Sequence, residues 1–465
     1  MKIYNTLTKK VDEFVPYEEG KVKLYTCGPT VYHYAHIGNI RNYIGHDILD
    51  KTLRYLGYDV TRAMNITDVG HLTSDSDSDS GEDKMEVARK REGKSAYEIA
   101  KYYTDAFFVD FEKVNCKRPE IVSPATDNIS EYIKIITKLL ETDYAYESGG
   151  NIYFDISKLD NYYCLTNQDS NLVVGARESV DEDSNKRNQA DFALWFTTSK
   201  FENHEMLWDS PWGRGYPGWH IECTGISIKY LGEYLDIHTG GVDNIFPHHT
   251  NEIAQSEAYL GHKWCNYWFH NEHLIDESGK MSKSKGAILR ISTLEEKGYN
   301  PLSFRYMALA SHYRKQLLFS YDALDQAQAT LNKLYNRISS IKVEGELQKD
   351  LFDKYNNLFI EYMSDDLNTA NALTVLYDVI KDDELTGTTK IELINKFDEI
   401  FSLDLTKKNN IDSDLEEYVN SKIAERNEAK KNKDFTKADS IRDELLEKGI
   451  KLLDTREGTK FEIIK

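Results

Sequence analysis

The 465 residues carry 58 Lys and Arg against 78 Asp and Glu, a formal charge of −20 that excludes a uniformly basic nucleic-acid coat. With 40% hydrophobic and 29% charged residues, a mean hydropathy of −0.60 and no apolar run of bilayer length, the chain is not expected to span a membrane, and its polar opening MKIYNTLTKKVDEF points to a cytoplasmic protein. Five scattered cysteines, Cys27, Cys116, Cys164, Cys223 and Cys265, suit metal ligation or nucleophilic chemistry better than a disulfide framework.

In chain order, KVKLYTCGPTVY reads as a strand entering a Gly-Pro turn, and NIRNYIGHDILDKTLRYLG as a helix with apolar residues three and four apart, closed by Gly57. DVTRAMNITDVG is a second β-rich run, so residues 21–70 form a βαβ unit and imply a parallel sheet. Ligands of such sheets bind at the carboxyl ends of strands, where TCGPT and NITDVG fall. The Ser/Asp alternation of 74–81 reads as a flexible loop; its Asp spacing hints at calcium but lacks the Gly and closing Glu of an EF-hand loop. Residues 119–204 mix short patterns and read as an insertion, after which LDIHTGGVD resumes the sheet. The pattern over 321–401 is helical, and the chain closes with a helical hairpin and a β-pair (IKLLD, TKFEII) beyond the polar linker TKKNNIDSD.

The expected architecture is α/β: a Rossmann-type parallel sheet split by an insertion, then a helical bundle and a small α+β C-terminal domain. The boundaries are 1–118 with 205–262 for the sheet domain, 119–204 for the insertion, 263–318 for a connecting region, 319–405 for the bundle and 412–465 for the last unit.

His36-Ile37-Gly38-Asn39 lies between the first strand and helix, where backbone N–H groups and the helix dipole favour phosphate. Alone it is a loose pattern, and a histidine at a helix start is commonly structural. Lys280-Met281-Ser282-Lys283-Ser284, flanked by Gly279 and Gly286, places two lysines where they can act as point charges on a polyphosphate; the bland reading is a solvated loop. Cys27 and Cys223 at predicted strand ends, with His248 and Glu252 four apart on one helix face, form a donor set better suited to zinc than to calcium or magnesium. Each cysteine alone also reads as a small buried hydrophobe, and His249 rivals His248.

HIGN early, KMSKS late, a split Rossmann-type sheet and a helical C-terminal half resemble class I aminoacyl-tRNA synthetases. More narrowly, TCGPTVY (26–32), GAR (175–177), GWHIEC (218–223), FPHHTNE (246–252), DDLNTA (365–370) and the tail IAERNEAKKNKDFTKADSIRDELLEKGIKLLDT resemble cysteinyl-tRNA synthetases, a match that runs the length of the chain. Asn39 stands where the family's HIGH motif has its second histidine, and can donate a hydrogen bond without carrying charge.

The resemblance implies that Cys27, Cys223, His248 and Glu252 bind one zinc ion, with His249 supporting the pocket. It implies cysteine contacts at Cys27, Gly28, Thr67 and Trp219. ATP contacts follow at His36, Gly38, Asn39, Gly240, Gly241, Asp243, Lys280, Ser282 and Lys283, with His36, Asn39, Lys280 and Lys283 catalytic and Mg²⁺ arriving with ATP. The implied partners are tRNA(Cys), ATP and L-cysteine, for a monomer without membrane attachment. Cysteine ionises where serine does not, so zinc can select the thiolate and no editing domain is needed. From residue 421 on, twelve Lys/Arg meet ten Asp/Glu, and the basic cluster between Arg426 and Lys437 reads as a solvated helix face or, given the resemblance, a tRNA contact. Two alternatives are a cysteine ligase acting on an amino sugar, which lacks such a tail, and a catalytically silent RNA-binding paralogue.

Overall fold

The computed structural model describes all residues except 70–83, 167–183, 198–204, 277–278, 281–287, 408–412, 456–457 and 464–465. Strands β1 (Lys2–Asn5), β2 (Lys10–Glu13) and β3 (Lys21–Thr26) are followed by α1 (Ile37–Tyr55), β4 (Asp59–Ile66), α2 (Lys84–Glu92), α3 (Ala96–Lys113), β5 (Ile121–Pro124) and α4 (Ile129–Glu141). Next come β6 (Ala145–Ser148), β7 (Asn151–Phe154), β8 (Phe192–Phe196), β9 (Tyr216–Pro217), α5 (Trp219–Leu231), β10 (Leu235–Gly241), α6 (Thr250–Leu260) and β11 (Cys265–Asn271). A connecting region holds β12 (Leu274–Asp276), β13 (Gly279–Lys280), α7 (Ile291–Glu296), α8 (Pro301–Leu309) and β14 (Leu317–Leu318). The bundle is α9 (Tyr321–Ser339), α10 (Lys349–Ser364), α11 (Thr369–Lys381) and α12 (Gly387–Phe401), and the last unit is α13 (Ser413–Lys431), α14 (Phe435–Glu447), β15 (Ile450–Thr455) and β16 (Gly458–Ile463).

The central sheet is parallel throughout, in the order β11-β10-β3-β4-β5. Every residue of β10 is buried, as expected where both faces of a parallel strand are covered by other elements. The expected βαβ unit is present, with Lys21 opposite Asp59 and Thr26 opposite Met64. Two expected boundaries cut this sheet. Because β5 pairs with β4 and β11 with β10, the sheet begins to break only after Pro124 and runs on to Asn271. The inserted antiparallel sheet β6-β7-β8-β9 correspondingly reaches Pro217. These edge strands are short and lie next to irregular segments, so residue pattern alone assigns them to the neighbouring units.

A buried ion pair joins the sheet layer to the bundle. The Arg305 guanidinium on α8 donates to Asp47 Oδ2 of α1 at 2.7 Å, to the Val114 carbonyl at 2.9 Å, and to the last carbonyls of α12, Phe401 at 2.6 Å and Ile400 at 3.2 Å. Burial pushes the Asp47 carboxyl up, yet Lys51 and Arg305 outweigh it and hold the group below its ordinary range. Arg305→Ala removes one buried charge and the donors to three carbonyls, and is expected to destabilise the chain by roughly 3–5 kcal/mol. The measurement is the denaturant midpoint at constant slope.

Candidate active site

Four side chains from separate elements meet at the carboxyl edge of β3 and β10. Cys27 follows the last residue of β3, Cys223 lies in α5, His248 precedes α6 and Glu252 lies in the first turn of α6. One ligand atom from each falls within 4.8 Å of every other. Cys27 Sγ is 3.8 Å from Cys223 Sγ, Cys223 Sγ is 3.6 Å from His248 Nε2, and His248 Nε2 is 3.1 Å from Glu252 Oε1. Tetrahedral zinc with these ligands needs separations of about 3.3–3.8 Å, so the donor chemistry and spacing fit that ion.

Sequence reasoning placed Cys223 at a strand end; it belongs instead to a helix started by Gly218. Nine of the 13 residues of α5 are buried, on more than one face, which erases the amphipathic period that marks a surface helix. His248 sits in a one-turn π segment, Ile245–His249, broken by extended backbone at Phe246 (φ −137°, ψ 130°). It still reaches Glu252, as the four-residue spacing required.

His249 belongs to a second grouping with Cys27, His238 and Glu252. In that grouping His238 Nε2 already pairs with Glu252 Oε2 at 2.7 Å, whereas His248 directs Nε2 at both Cys223 and Glu252. His249 instead lies 3.3 Å from Cys27 Sγ and hydrogen-bonds His270 through Nδ1 at 2.8 Å. His220 meets His248 Nδ1 at 2.8 Å. Sequence reasoning missed the supporting histidines 220, 238 and 270. A signal existed, since six of the 13 histidines lie between 220 and 270.

Burial governs the protons here. It pushes the Cys27 thiol up to about 11, Cys223 well above its ordinary value and Glu252 up to about 8. It drives His238 down to about 3 and lowers His248 and His249. Without a cation the cluster is therefore neutral at pH 7, and a divalent ion replaces protons when it binds.

Beside the cluster, Trp219 stacks on His248 with ring centroids 4.4 Å apart. The Thr67 hydroxyl donates to Glu222 Oε1, which also accepts from Asn65 Nδ2 at 3.0 Å, and Asn65 Oδ1 accepts the Gly28 N–H at 2.7 Å. Glu222 is fully buried, and desolvation pushes its carboxyl well up. Asn65 and Glu222 thus tie together the two expected pocket positions, Gly28 and Thr67.

His36 caps α1. Its Nδ1 accepts the Asn39 N–H at 3.2 Å, and Asn39 Oδ1 accepts the His36 N–H at 3.1 Å. This reciprocal cap leaves the imidazole proton on Nε2. A Cβ at Gly38 would stand 2.8 Å from the His36 ring, so glycine is required for that ring position. Gly240 is similarly needed, since its Cβ would meet His249 Cε1 at 2.6 Å. Gly241 ends β10, and Asp243 follows in the turn Val242–Asn244, 3.9 Å from His273 Nδ1. The Ile37 N–H donates to the Leu289 carbonyl at 2.9 Å, tying α1 to the chain just beyond KMSKS. Lys280 pairs with Ile275 across β13 and β12. Ser282, Lys283, the GAR segment and the Ser/Asp run lie outside the described residues.

In the C-terminal unit much of the expected basic cluster is paired. Arg426 is 5% exposed and forks onto Asp454 at 2.8 and 3.0 Å, Lys430 joins the same carboxylate at 2.9 Å, and Lys437 pairs with Glu425 at 2.9 Å. Arg426 is thus a strut under α13, which corrects its reading as a surface contact. Lys431 and Lys433 are exposed at the turn between α13 and α14. Among the described residues no helix is long and apolar enough to cross a membrane.

Residues 13–329 match the family model for tRNA synthetases class I (C) catalytic domain, and 358–403 match the DALR domain. Curated relatives include a cysteine–tRNA ligase of Treponema denticola, 46% identical over 98% of both chains. Another, from Borrelia garinii subsp. bavariensis, is 45% identical over 99% of both. Among solved structures, a methionyl-tRNA synthetase of Mycobacterium tuberculosis in complex with methionyl-adenylate aligns with TM-score 0.58 at 14% identity, over 83% of this chain and 91% of that one; it shares the fold.

Proposed function

From a chain that belongs to the cysteine–tRNA ligase family of class I synthetases and charges tRNA with cysteine, we propose that Cys27, Cys223, His248 and Glu252 hold one zinc ion and that the surrounding pocket selects cysteine. The observation that carries this reading is the convergence of two thiols, one imidazole and one carboxylate within 4.8 Å at the ligand-binding edge of the sheet. Bound zinc supplies a soft Lewis acid that takes a thiolate and passes over a hydroxyl. His238 and His220 orient Glu252 and His248, and Trp219 covers the imidazole. Gly28 and Thr67 complete the cysteine pocket through Asn65 and Glu222.

The cysteine carboxylate attacks the α-phosphate of ATP in line, and pyrophosphate leaves. A ribose hydroxyl at the 3′ end of tRNA(Cys) then takes the acyl group and AMP leaves. Positioning and electrostatics carry both steps, and Mg²⁺ accompanies the ATP. His36 donates from Nε2 to a phosphate oxygen, because its Nδ1 is held as an acceptor by Asn39. The Asn39 side-chain oxygen is committed to the cap, so its contribution to ATP comes through the amide NH₂. Lys280 and Lys283 neutralise the charge that builds on the phosphates. Gly240, Gly241 and Asp243 receive the adenosine at the end of β10. A cytoplasmic monomer is the setting of this reading.

ATP–pyrophosphate exchange across amino acids tests it: cysteine should support exchange and serine should not. The C-terminal unit provides a second check. A chain ending at Leu405 keeps the α12 carbonyls that Arg305 holds, so its bundle should stay folded. It should retain exchange while losing at least about tenfold in tRNA charging, since the lost unit carries the exposed Lys431 and Lys433. Undiminished charging would remove that unit from tRNA binding, whereas a full-length chain that exchanges pyrophosphate without charging tRNA would favour the amino-sugar ligase.

A further inference from the structure

Asp366 lies in the turn between α10 and α11, is 4% exposed, and has no role in the chemistry above. It and Leu367 are consecutive non-glycine residues with left-handed backbone, φ 54° and 56°. Such a pair is strained and persists only where its surroundings over-determine it. Here the Asp366 carboxylate is clamped from outside the bundle. Oδ1 accepts the Tyr4 N–H at 2.8 Å and the Tyr313 hydroxyl at 2.6 Å, Oδ2 accepts Arg314 Nε at 2.8 Å, and His312 Nε2 lies 3.7 Å from Oδ2. The Arg314 guanidinium also covers the Tyr4 ring at 4.6 Å. One bundle side chain thus grips three consecutive residues, 312–314.

Those residues lead directly to Lys280. Tyr313 stacks on Phe269 of β11 with centroids 4.3 Å apart, and its carbonyl accepts the Glu272 N–H at 2.9 Å. The Leu317 N–H then donates to the His273 carbonyl at 3.1 Å and the Phe319 N–H to the Ile275 carbonyl at 2.7 Å, pairing β14 with β12. On its other side β12 pairs with β13, Ile275 opposite Lys280. The place of the strand bearing Lys280 therefore depends on where 312–319 is held. We infer that Asp366 is a positioning residue for adenylation: through residues 312–314 and the β14-β12-β13 sheet, the bundle sets Lys280 against the ATP phosphates. This inference rests on the reading of Lys280 as a phosphate contact.

A double-mutant cycle on the full-length, zinc-loaded enzyme tests it by pyrophosphate exchange. Asp366→Asn keeps the shape but weakens the charged bonds to Arg314, and is expected to lower kcat at least about tenfold, with the KM for cysteine and the zinc content within about twofold. In a Lys280→Ala background the same substitution should cost less than about twofold, because its route to the phosphates is already gone. An equal loss in both backgrounds, or an unchanged kcat for Asp366→Asn alone, overturns the inference. If Asp366→Asn does not fold, Arg314→Lys and Tyr313→Phe run the same cycle with the same two overturning results. Lys280→Ala without any loss of its own would instead overturn the reading of Lys280, and the single variant shows this separately.

Discussion

Cys223→Ser is expected to lose bound zinc and to raise the KM for cysteine at least about 100-fold, with the KM for ATP changed by no more than about threefold. The split follows from the layout. Cys223 Sγ faces Cys27 and His248 in the candidate metal cluster, while His36 and Asn39 are held by their own reciprocal cap at the start of α1. Metal loading should also depend on pH with a definite sign. Burial keeps Cys27 protonated up to about 11 and Glu252 up to about 8, so zinc must displace protons and its apparent Kd falls as pH rises from 6 to 8. Each displaced proton contributes about a factor of ten per pH unit. Metal titration by competition with a chromophoric chelator reads both effects. Cobalt substitution adds a spectroscopic check: its thiolate charge-transfer band should change on addition of cysteine and not of serine. A metal-free variant with undiminished cysteine affinity would reduce the ion to a structural staple.

The four candidate ligands Cys27, Cys223, His248 and Glu252 were named from the family resemblance, and they lie together in the fold; what the sequence hid is how they are held. Cys223 looked like a strand end because the helix around it is buried on more than one face, leaving no period to read. In the sequence the supporting histidines showed only as a local excess of histidine, because His220, His238 and His270 come from α5, β10 and β11 and only the fold makes them neighbours. The βαβ unit was readable because its helix and strands follow one another locally. The edge strands β5 and β11 were not, since their membership depends on pairing across long sequence distances. For a related reason Arg426 was read as part of a surface cluster: a count of lysines and arginines does not show that Asp454 of β15 returns to pair with Arg426 and Lys430.

The lysines of KMSKS supply the second large effect. Lys283→Ala is expected to lower kcat for pyrophosphate exchange at least about 100-fold, with a smaller change in the KM for cysteine. In-line attack builds charge on the α-phosphate and on the departing pyrophosphate, and on the proposed reading that charge is met by cations of the KMSKS segment. Burial holds His238, His248 and His249 neutral, and because Nδ1 of His36 accepts the Asn39 N–H, His36 would meet a phosphate through its Nε2 N–H. The proposed reading assigns that stabilisation, besides Mg²⁺, to Lys280, Lys283 and the α1 N-terminus with its partial positive charge. On the proposed reading, ground-state cysteine is held at Cys27, Cys223, His248 and Glu252 and does not need those lysines, so its KM should move little. A Lys283→Arg variant retains the charge with a different reach and should recover part of the lost rate, whereas a lysine serving only to fold the segment would show equal losses in kcat and in metal or substrate binding. An unchanged kcat for Lys283→Ala, measured under saturating ATP and Mg²⁺, would take this lysine out of the chemistry and leave the helix terminus and Lys280 to carry the charge.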